Sequence, residues 1–387
     1  MPELAASIRR VPASGIRRIH ELALELGGSG GERVVMLAVG EPDAPVASHI
    51  AEAARRAWAA DRTDYTANGG IPELRRAIVD KLARLNALRV DTDQVWVTVG
   101  ATQALHQAMT LVLASGDEVL VPDPGYTTFT MNARMLGARP VPYTLRPENG
   151  FLPEPAELER IVTTRSRAII VNSPSNPLGR VFDEPALRAL LDVARRHDLW
   201  VISDEVYEAF RYDAPHVSIA SLDTDDRVFS VFSLSKTYAM TGVRVGYLVT
   251  PRGLAATMRT VQEATISCVA EPDQLAAVAA IEGSQAAVVE AAARYAAHLE
   301  LATGLLDERG IRYLRPGGAF YLWIDVAHAS GGDVAAWAER FLIEHRVALA
   351  PGSAFGRAGE GWVRVCLASS EQDLRTGLGL LPPGPGS

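Results

Sequence analysis

Residues 228–237 have the sequence Val228-Phe229-Ser230-Val231-Phe232-Ser233-Leu234-Ser235-Lys236-Thr237. The apolar part, residues 228–232, is typical of a buried strand. Lys236 follows this strand within a few residues, and two hydroxyl side chains, Ser233 and Ser235, precede it. The stretch therefore predicts an amine at the carboxyl end of a sheet strand, which is where open α/β sheets bind ligands.

Similar apolar runs recur along the first two thirds of the chain, with helical segments between them. Residues 72–85 place Leu74, Ile78 and Leu82 on one face, and residues 184–197 repeat the pattern, so each predicts an amphipathic helix. Strands that alternate with helices indicate a mostly parallel sheet that is covered on both faces. We therefore predict an α/β fold with strands at 95–99, 118–121, 168–171, 199–203, 228–232 and 245–249.

The alternation stops after Thr250. Alanine-rich helical sequence at 273–308 is interrupted near Gly283-Ser284, and it is followed by strand candidates at 319–325 and 362–367 with a helix near 333–344 between them. With a further strand candidate at 34–39, these elements predict a smaller α+β domain built from both chain ends. We predict a large domain at 46–286, a discontinuous small domain at 1–45 and 287–387, and a disordered tail at 382–387.

Composition and charge disfavour several classes of protein. The 387 residues are 48% hydrophobic and 22% charged, which is ordinary for a globular protein, and the net charge of −8 disfavours nucleic-acid binding. Two isolated cysteines, Cys268 and Cys366, give neither a disulfide framework nor zinc spacing. The sequence shows no signal-peptide pattern and no apolar stretch of membrane-spanning length. We expect a cytoplasmic protein with no metal, membrane or nucleic-acid partner.

Lysine-dependent chemistry has two candidate residues, because 36 of the 38 basic residues are arginine. Lys236 is placed to form a Schiff base with an aldehyde, although a salt-bridged lysine at a strand end explains the same position. Lys81 lies on the helix predicted at 72–85, beside Asp80 and Arg84, which indicates a solvated helix face. Lys236 is therefore the candidate for covalent chemistry.

Asp204 ends another predicted strand and favours the chemical interpretation of Lys236. A pyridoxal phosphate site needs a carboxylate that keeps the ring nitrogen protonated, so that the ring takes up electrons when a bond to the substrate α-carbon breaks. Asp204 fits this role, and Tyr207, three residues later, is spaced to reach the phenolic oxygen of the cofactor. An aspartate between a strand and a helix is also a common N-cap, so the rest of the site decides between the two roles.

Donors for a phosphate group are spread over three segments. The stretch Val99-Gly100-Ala101-Thr102-Gln103 predicts a glycine turn from a strand into a helix, with free backbone N–H groups at the helix start. Arg244 offers a charged fork, and Ser233 and Ser235 complete a cradle. Taken alone, Arg244 is better explained as a surface arginine.

Two further polar residues have both a structural and a functional interpretation. Tyr126, in Pro124-Gly125-Tyr126, is either a packed loop residue or a ring that stacks on a planar cofactor. Asn176, between Ser175 and Pro177, is either a turn residue or a donor to the cofactor's phenolate.

In their order and spacing, these residues resemble the class I and II aminotransferases of pyridoxal phosphate fold type I, the aspartate aminotransferase-like superfamily. The resemblance extends from Ser14-Gly15-Ile16-Arg17 and Gly40-Glu41-Pro42-Asp43 to Pro351-Gly352-Ser353-Ala354-Phe355-Gly356. It implies the fold type I architecture, in which a large domain has a mostly parallel central sheet between helices and a smaller α+β domain accompanies it.

The resemblance also implies a role for each candidate residue. Lys236 would carry pyridoxal 5'-phosphate as an internal aldimine and then move the α-proton as general base and acid. Asp204 would contact the pyridine nitrogen, Arg364 would bind the substrate α-carboxylate, and the backbone of Gly40 would meet the same substrate. The remaining implied cofactor contacts are Tyr207 and Asn176 at the phenolic oxygen, Tyr126 on the ring, and Ala101, Thr102, Ser233, Ser235 and Arg244 at the phosphate.

Tyr65, in Asp64-Tyr65-Thr66, resembles a tyrosine that family members lend to the phosphate site of a neighbouring subunit. This implies a homodimer with active sites shared across the interface.

Without the resemblance, Arg364 is explained best as a solvated arginine on an edge strand.

Four positions depart from the family pattern without removing a catalytic group. They suggest an altered substrate pocket, and the acidic Glu271 suggests a cationic or amino-bearing substrate, although neutral drift explains them equally well. The departures are Leu178 after Asn-Pro, Val243 beside Arg244, Ala44 after Gly-Glu-Pro-Asp, and Glu271 where a small hydroxyl residue is common.

The leading hypothesis is an aminotransferase of amino acid metabolism that moves an amino group from an α-amino acid to a 2-oxo acid by a ping-pong mechanism. The same residues support β-elimination, so a carbon–sulfur β-lyase, or a specialised biosynthetic enzyme acting on an amino-acid S-conjugate, is the alternative. A third hypothesis is a non-catalytic effector-binding module of a transcription regulator. The acidic charge disfavours it, and the short segment before Gly40 leaves little room for a DNA-binding domain.

Overall fold

The computed structural model describes residues 3, 5–28, 33–213 and 215–385. The strands in these residues are β1 (Val35–Met36), β2 (Val95–Thr98), β3 (Glu118–Asp123), β4 (Arg139–Thr144), β5 (Ser166–Asn172), β6 (Trp200–Asp204), β7 (Val228–Ser233), β8 (Gly246–Val249), β9 (Tyr313–Leu314), β10 (Tyr321–Asp325), β11 (Val347–Ala348), β12 (Ala350–Pro351) and β13 (Trp362–Cys366). The α-helices are α1 (Ala6–Arg9), α2 (Gly15–Gly28), α3 (Ser48–Ala59), α4 (Pro72–Leu85), α5 (Gly100–Val112), α6 (Thr127–Met135), α7 (Pro155–Ile161), α8 (Glu184–Arg196), α9 (Leu234–Thr237), α10 (Ala255–Thr265), α11 (Glu271–Glu282), α12 (Ala286–Glu308), α13 (Ala327–Ser330), α14 (Val334–His345) and α15 (Glu371–Gly379).

The central sheet has the strand order β2-β8-β7-β6-β5-β3-β4. Its strands from β7 to β4 run parallel, whereas β8 is antiparallel to both β7 and β2. Helices cover both faces, as alternate residues of β2 show: Val95 and Val97 pack with Leu74 of α4, whereas Trp96 packs with Leu105 of α5. Burial on both faces explains why these strands are continuous apolar runs.

Strand β4 lies outside the predicted set of strands. Its sequence contains Pro140 and Pro142, which cannot donate to a ladder of hydrogen bonds, and most of its side chains are exposed or half-buried. Strand β4 is at the edge of the sheet and pairs with β3, a position in which proline is tolerated. The apolar signal that reveals a central strand is therefore absent from this edge strand.

The parallel strands bring three polar residues to one edge of the sheet. Strands β5, β6 and β7 end at Asn172, Asp204 and Ser233, and the register of β5 and β6 pairs Asn172 with Asp204. Lys236 follows β7 in the one-turn helix α9. The edge at which the sequence predicts ligand binding therefore holds both the candidate amine and the candidate carboxylate.

The predicted solvated position of Lys81 is wrong. Helix α4 has the predicted bounds, but Lys81 is only 7% exposed. Its ammonium group donates to Asn86 Oδ1 at 2.9 Å and forms an ion pair with Glu208. The helical period identified the face that packs on the sheet, but it contained no sign that the turn at 205–208 covers a second face of the helix.

Two smaller sheets connect the two ends of the chain. Strand β1 pairs with β11 in parallel, and β12, β13, β10 and β9 form an antiparallel sheet. The amide of Cys366 in β13 donates to the carbonyl of Leu37, directly after β1. The strand predicted at 34–39 is present but shorter than expected, since β1 spans only Val35–Met36. The division into domains at 46–286 and at 1–45 with 287–387 stays a prediction.

Helices α11 and α12 are the alanine-rich elements predicted at 273–308, and they meet at a bend of 72°. Among the described helices, no single one is long and apolar enough to cross a membrane. The bent pair of α11 and α12 reaches the length and apolar composition of a membrane span only when both helices are counted together. After α12, the carbonyl of Arg309 accepts a hydrogen bond from the amide of Gly384 at 2.9 Å. Of the tail predicted at 382–387, residues 386 and 387 lie outside the described residues.

Candidate active site

A cavity of about 950 Å³ lies at the carboxyl edge of the parallel strands. Its lining includes all of the predicted site residues except Tyr65, although they come from segments far apart in the sequence. These lining residues are Gly40, Ala101, Thr102, Tyr126, Asn176, Asp204, Tyr207, Ser233, Ser235, Lys236, Arg244 and Arg364.

The amine of Lys236 is buried in this cavity. Its Nζ donates to the carbonyl oxygen of Gly40 at 2.8 Å. Burial lowers the pKa of Lys236 to about 8, because removal from water disfavours the charged form. A substantial neutral fraction near pH 8 makes this amine a nucleophile and a proton acceptor. Glycine is required at position 40, because a Cβ there would lie 1.9 Å from the hydroxyl oxygen of Tyr321.

The carboxylate of Asp204 is buried without a cation. The residue is 4% exposed, and its Oδ1 accepts a hydrogen bond from the amide of Val206 at 3.3 Å. Burial raises the pKa of Asp204 to about 7, and no basic side chain of the described residues opposes this shift. A buried carboxylate of this kind is stabilised by a ligand that supplies an N–H donor or a positive charge.

An anion-binding end of the cavity forms where α5 begins. Ala101 and Thr102 lie in the first helical turn, whose N–H groups have no acceptor within the helix. The Nη1 of Arg244 donates to the carbonyl of Thr241 at 2.7 Å and to Ser235 Oγ at 3.4 Å, which holds the guanidinium beside the helix start. Gly100 has a φ of 69°, and a Cβ there would lie 2.3 Å from Arg244 Nη2, so both its backbone conformation and its contacts favour glycine.

Two tyrosines form the wall near Asp204. The hydroxyl groups of Tyr207 and Tyr321 are 2.6 Å apart, and burial raises the pKa of both phenols, which keeps them neutral. Asn176 lines the same cavity, and its backbone N–H donates to Asn172 Oδ1 at 2.8 Å. Tyr126 also lines the cavity and makes an edge contact with Phe129. Because one of the two phenols donates to the other, the pair keeps one O–H that can donate to an oxygen atom of a ligand.

Arg364 is 2% exposed, which excludes a solvated arginine. Its Nη1 donates to Asn176 Oδ1 at 2.7 Å, and its Nη2 donates to the carbonyl of Ala38 at 2.5 Å. The guanidinium lies 4.2 Å from the centre of the Tyr321 ring and 4.9 Å from that of Phe355. Its Nε is buried without a hydrogen-bond partner. A buried guanidinium with neutral partners is suited to bind a carboxylate that enters the cavity.

The family model of the class I and II aminotransferases matches residues 32–380 of this chain. This chain belongs to the family of class I and II aminotransferases. A probable aspartate/prephenate aminotransferase of Thermus aquaticus is 36% identical over 384 residues, covering 98% of each chain. An aspartate aminotransferase of Pyrococcus abyssi is 38% identical over 373 residues, covering 95% of this chain and 94% of the relative. The structure of aspartate aminotransferase from Thermus thermophilus with maleate matches at a TM-score of 0.93, with 36% identity over 98% of each chain.

These similarities confirm the predicted family, the α/β fold with its mostly parallel central sheet, and amino transfer as the reaction. The carbon–sulfur lyase is not favoured, because the relatives that match nearly end to end are named as aminotransferases. The identification as an enzyme also disfavours the non-catalytic effector-binding module.

Two parts of the aminotransferase cavity were not predicted from the sequence. Tyr321 lies in the strand predicted at 319–325, but β10 is almost entirely buried, so no alternation marks the residue that faces the cavity. The second part is one face of α2, which includes Arg17 and His20. The family motif at 14–17 contains Arg17 but gives no sign that His20 also lines the cavity. The one signal in the sequence was the hydroxyl group of Tyr321 itself, a polar group within an otherwise apolar predicted strand.

The four departures from the family pattern lie outside the described lining of this cavity. The side chain of Leu178 is fully buried in the core, and Val243 packs against a second core cluster. Ala44 lines a separate small cavity that Lys236 also borders. Glu271 begins α11 and forms an ion pair with Arg62, so its charge already has a partner within this chain.

Proposed function

We propose that this aminotransferase binds pyridoxal 5'-phosphate at Lys236 and uses it to move an amino group from an α-amino acid to a 2-oxo acid by a ping-pong mechanism. One observation carries the proposal: a single cavity joins a buried amine of lowered pKa, a buried carboxylate without a cation, and a helix start beside an arginine. When bound, this cofactor supplies an electron sink that allows bonds at the substrate α-carbon to break.

The residues present fit the cofactor at both of its ends. The N–H groups of Ala101 and Thr102 and the guanidinium of Arg244 suit a phosphate, with Ser233 and Ser235 beside them. Asp204 would hold the proton on the ring nitrogen, which also removes the cost of burying its own charge. The residues assigned to the ring face and to the phenolic oxygen are Tyr126, Tyr207 and Asn176.

Lys236 moves the proton in this proposal. Its neutral Nζ would accept the proton from the substrate α-carbon as general base and, once protonated, would return it as general acid. The burial that lowers its pKa to about 8 places that proton transfer near neutral pH. The carbonyl of Gly40 accepts a hydrogen bond from the amine of Lys236, and its place in the cavity lining would bring this backbone next to the substrate.

Arg364 binds the substrate α-carboxylate in the proposal, and replacing it with lysine is expected to raise the KM for amino acids about 100-fold. The reason is that an ammonium group cannot reproduce the planar two-point contact of a guanidinium. Steady-state kinetics with the amino acid varied check this, and the amount of bound cofactor serves as the control because it is expected to stay unchanged. A KM equal to that of the unmodified protein would show that Arg364 does not bind substrate.

The proposal is tested by mixing the holoenzyme with a panel of amino acids and amino-acid S-conjugates in the absence of a 2-oxo acid. Mass spectrometry then identifies the cofactor form and the products. We expect pyridoxamine phosphate to accumulate together with one equivalent of the 2-oxo acid of a single donor, which also names that donor. Continuing release of ammonia and a thiol, with pyridoxal phosphate regenerated, would establish the lyase instead.

We also propose a cytoplasmic homodimer in which Tyr65 reaches the phosphate site of the neighbouring subunit. Tyr65 is 91% exposed and does not line the cavity of its own chain, and Trp58, beside it, is 64% exposed. Exposed aromatic side chains that lie together are typical of an interaction surface. Sedimentation velocity is expected to give the mass of two chains, and a monomer at micromolar concentration would contradict the proposal. Both cysteines are free thiols, as a reducing compartment allows.

A further inference from the structure

A buried ion pair adjoins two segments that line the active-site cavity. Lys81 of α4 donates to the carboxylate of Glu208, the residue after Tyr207, and the two side chains are 9% and 14% exposed. Asn86 satisfies both partners: its amide oxygen accepts from Lys81 at 2.9 Å, and its amide nitrogen donates to Glu208 at 2.6 Å. Neither Lys81 nor Glu208 lines the cavity, so the pair does not touch a ligand there.

Lys81 also contacts the strand that leads to Lys236. Its Nζ lies 4.6 Å from the centre of the Phe232 ring, and Phe232 stacks on Tyr247 at 5.0 Å. An ammonium group is attracted to the face of an aromatic ring, more strongly when both are desolvated. Because Phe232 directly precedes Ser233, one ammonium group touches both segments that supply the site, residues 204–208 and residues 232–236.

The other titratable groups near the pair do not offer it an alternative partner. Burial raises the pKa of Tyr238 to about 12 and that of Tyr247 further, so both phenols stay neutral at physiological pH. Arg84 is near Tyr238 and carries the same charge as Lys81. Glu205 is occupied by Ser203, Ser218 and His216. The charge of Glu208 is therefore balanced by Lys81.

The choice of lysine at this position is informative. Of 38 basic residues, 36 are arginine, and the two lysines are Lys236 and Lys81. An ammonium group is a compact point charge, whereas a guanidinium is a larger planar fork that does not fit the same contacts. A chain that uses arginine almost everywhere thus has the compact amine of a lysine at the catalytic position and in the ion pair with Glu208.

We propose that Lys81 and Glu208 are a positioning pair, which holds the Tyr207 hydroxyl in register with the segment that carries Lys236. Tyr207 transmits the position because its hydroxyl is hydrogen-bonded to Tyr321, whose ring lies under the Arg364 guanidinium. The inference rests on the proposed function, since Tyr207 is assigned there to the phenolic oxygen of the cofactor. It adds two residues that act on the reaction without touching the reacting atoms.

The test compares Lys81→Met and Lys81→Arg with the double variant Lys81→Met/Glu208→Met, all as holoenzymes. We expect each single variant to lose about tenfold in kcat with KM nearly unchanged, because a small displacement of a positioned group costs rate rather than affinity. The pH midpoint of the cofactor's visible absorbance is expected to shift by about half a unit or more. The double variant is expected to regain thermal stability, since it has no unpaired buried charge, but not the original midpoint.

A matched control is Glu118→Gln at the opposite end of the sheet. Glu118 is fully buried at the start of β3 and paired with Arg139 and Arg165, and none of these three residues lines the cavity. This variant is expected to lose stability without shifting the absorbance midpoint. A double variant with the original midpoint and kcat, or single variants that lose only stability, would overturn the positioning role. A wild-type protein without lysine-bound cofactor absorbance would overturn the proposed function and, with it, this inference.

Discussion

Replacing Lys236 with alanine is expected to remove the covalently bound cofactor and to reduce turnover about a thousandfold or more, because the variant loses both the attachment point and the group that moves the proton. Among the described residues that line the cavity, Lys236 is the one lysine, so no neighbouring amine takes its place. The measurement is the visible absorbance of the purified protein, followed by turnover with the donor identified by mass spectrometry.

The control for this prediction is Lys236→Arg, which keeps a positive charge but has no primary amine to attach the cofactor. We expect it to be as inactive as the alanine variant, which would show that the amine rather than the charge is required. Turnover above a tenth of the wild-type rate in either variant would contradict the assignment of Lys236.

Replacing Asp204 with asparagine is expected to lower kcat about 100- to 1,000-fold while the cofactor stays attached to Lys236. An amide carries no charge to hold a proton on the ring nitrogen, so the electron sink is weakened just where the reaction needs it. The matched control is Asp123→Asn, a buried carboxylate at the end of β3 that does not line the cavity and accepts a hydrogen bond from Ala358. Loss of activity in the control alone, or in neither variant, would refute the role of Asp204.

The same variant tests the pKa of Asp204 through stability. In the ligand-free protein the folded pKa is about 7, above the ordinary value of 3.8, so between these pH values the folded state holds a proton that the unfolded chain releases. The free energy of unfolding should therefore fall as pH rises through this window, by about 1 kcal/mol per pH unit from this group. The wild-type stability minus that of Asp204→Asn, measured by urea unfolding, isolates the effect. A difference that does not change with pH would contradict the raised pKa.

The sequence predicted the elements that have a local signature. Central strands such as β6 and β7 are apolar runs because both of their faces are covered, and α4 shows its period because one face packs on the sheet. Strand β4 has no such signature, since it lies at the edge and contains two prolines. The local sequence pattern therefore predicted the buried strands of the sheet but not its edge strand β4.

The candidate site depended on contacts between residues that are distant in sequence, which a local pattern does not contain. Lys236 and Gly40 are hydrogen-bonded across 196 positions, and their proximity followed from the family resemblance. Burial was the other weakness. Periodicity indicated a solvated Lys81, and strand context indicated a solvated Arg364, whereas both are covered by segments from elsewhere in the chain.

The scarcity of lysine also governs how this protein reacts with chemical reagents. Arginine does not react with aldehydes and esters that modify primary amines at neutral pH, and the amine of Lys81 is buried in an ion pair with Glu208. Lys236, with its lowered pKa and open cavity, is the nucleophilic side-chain amine that remains. Apart from the α-amino group of the chain, an amine-directed label on the folded ligand-free protein is therefore expected to attach to Lys236 and to report on the active site.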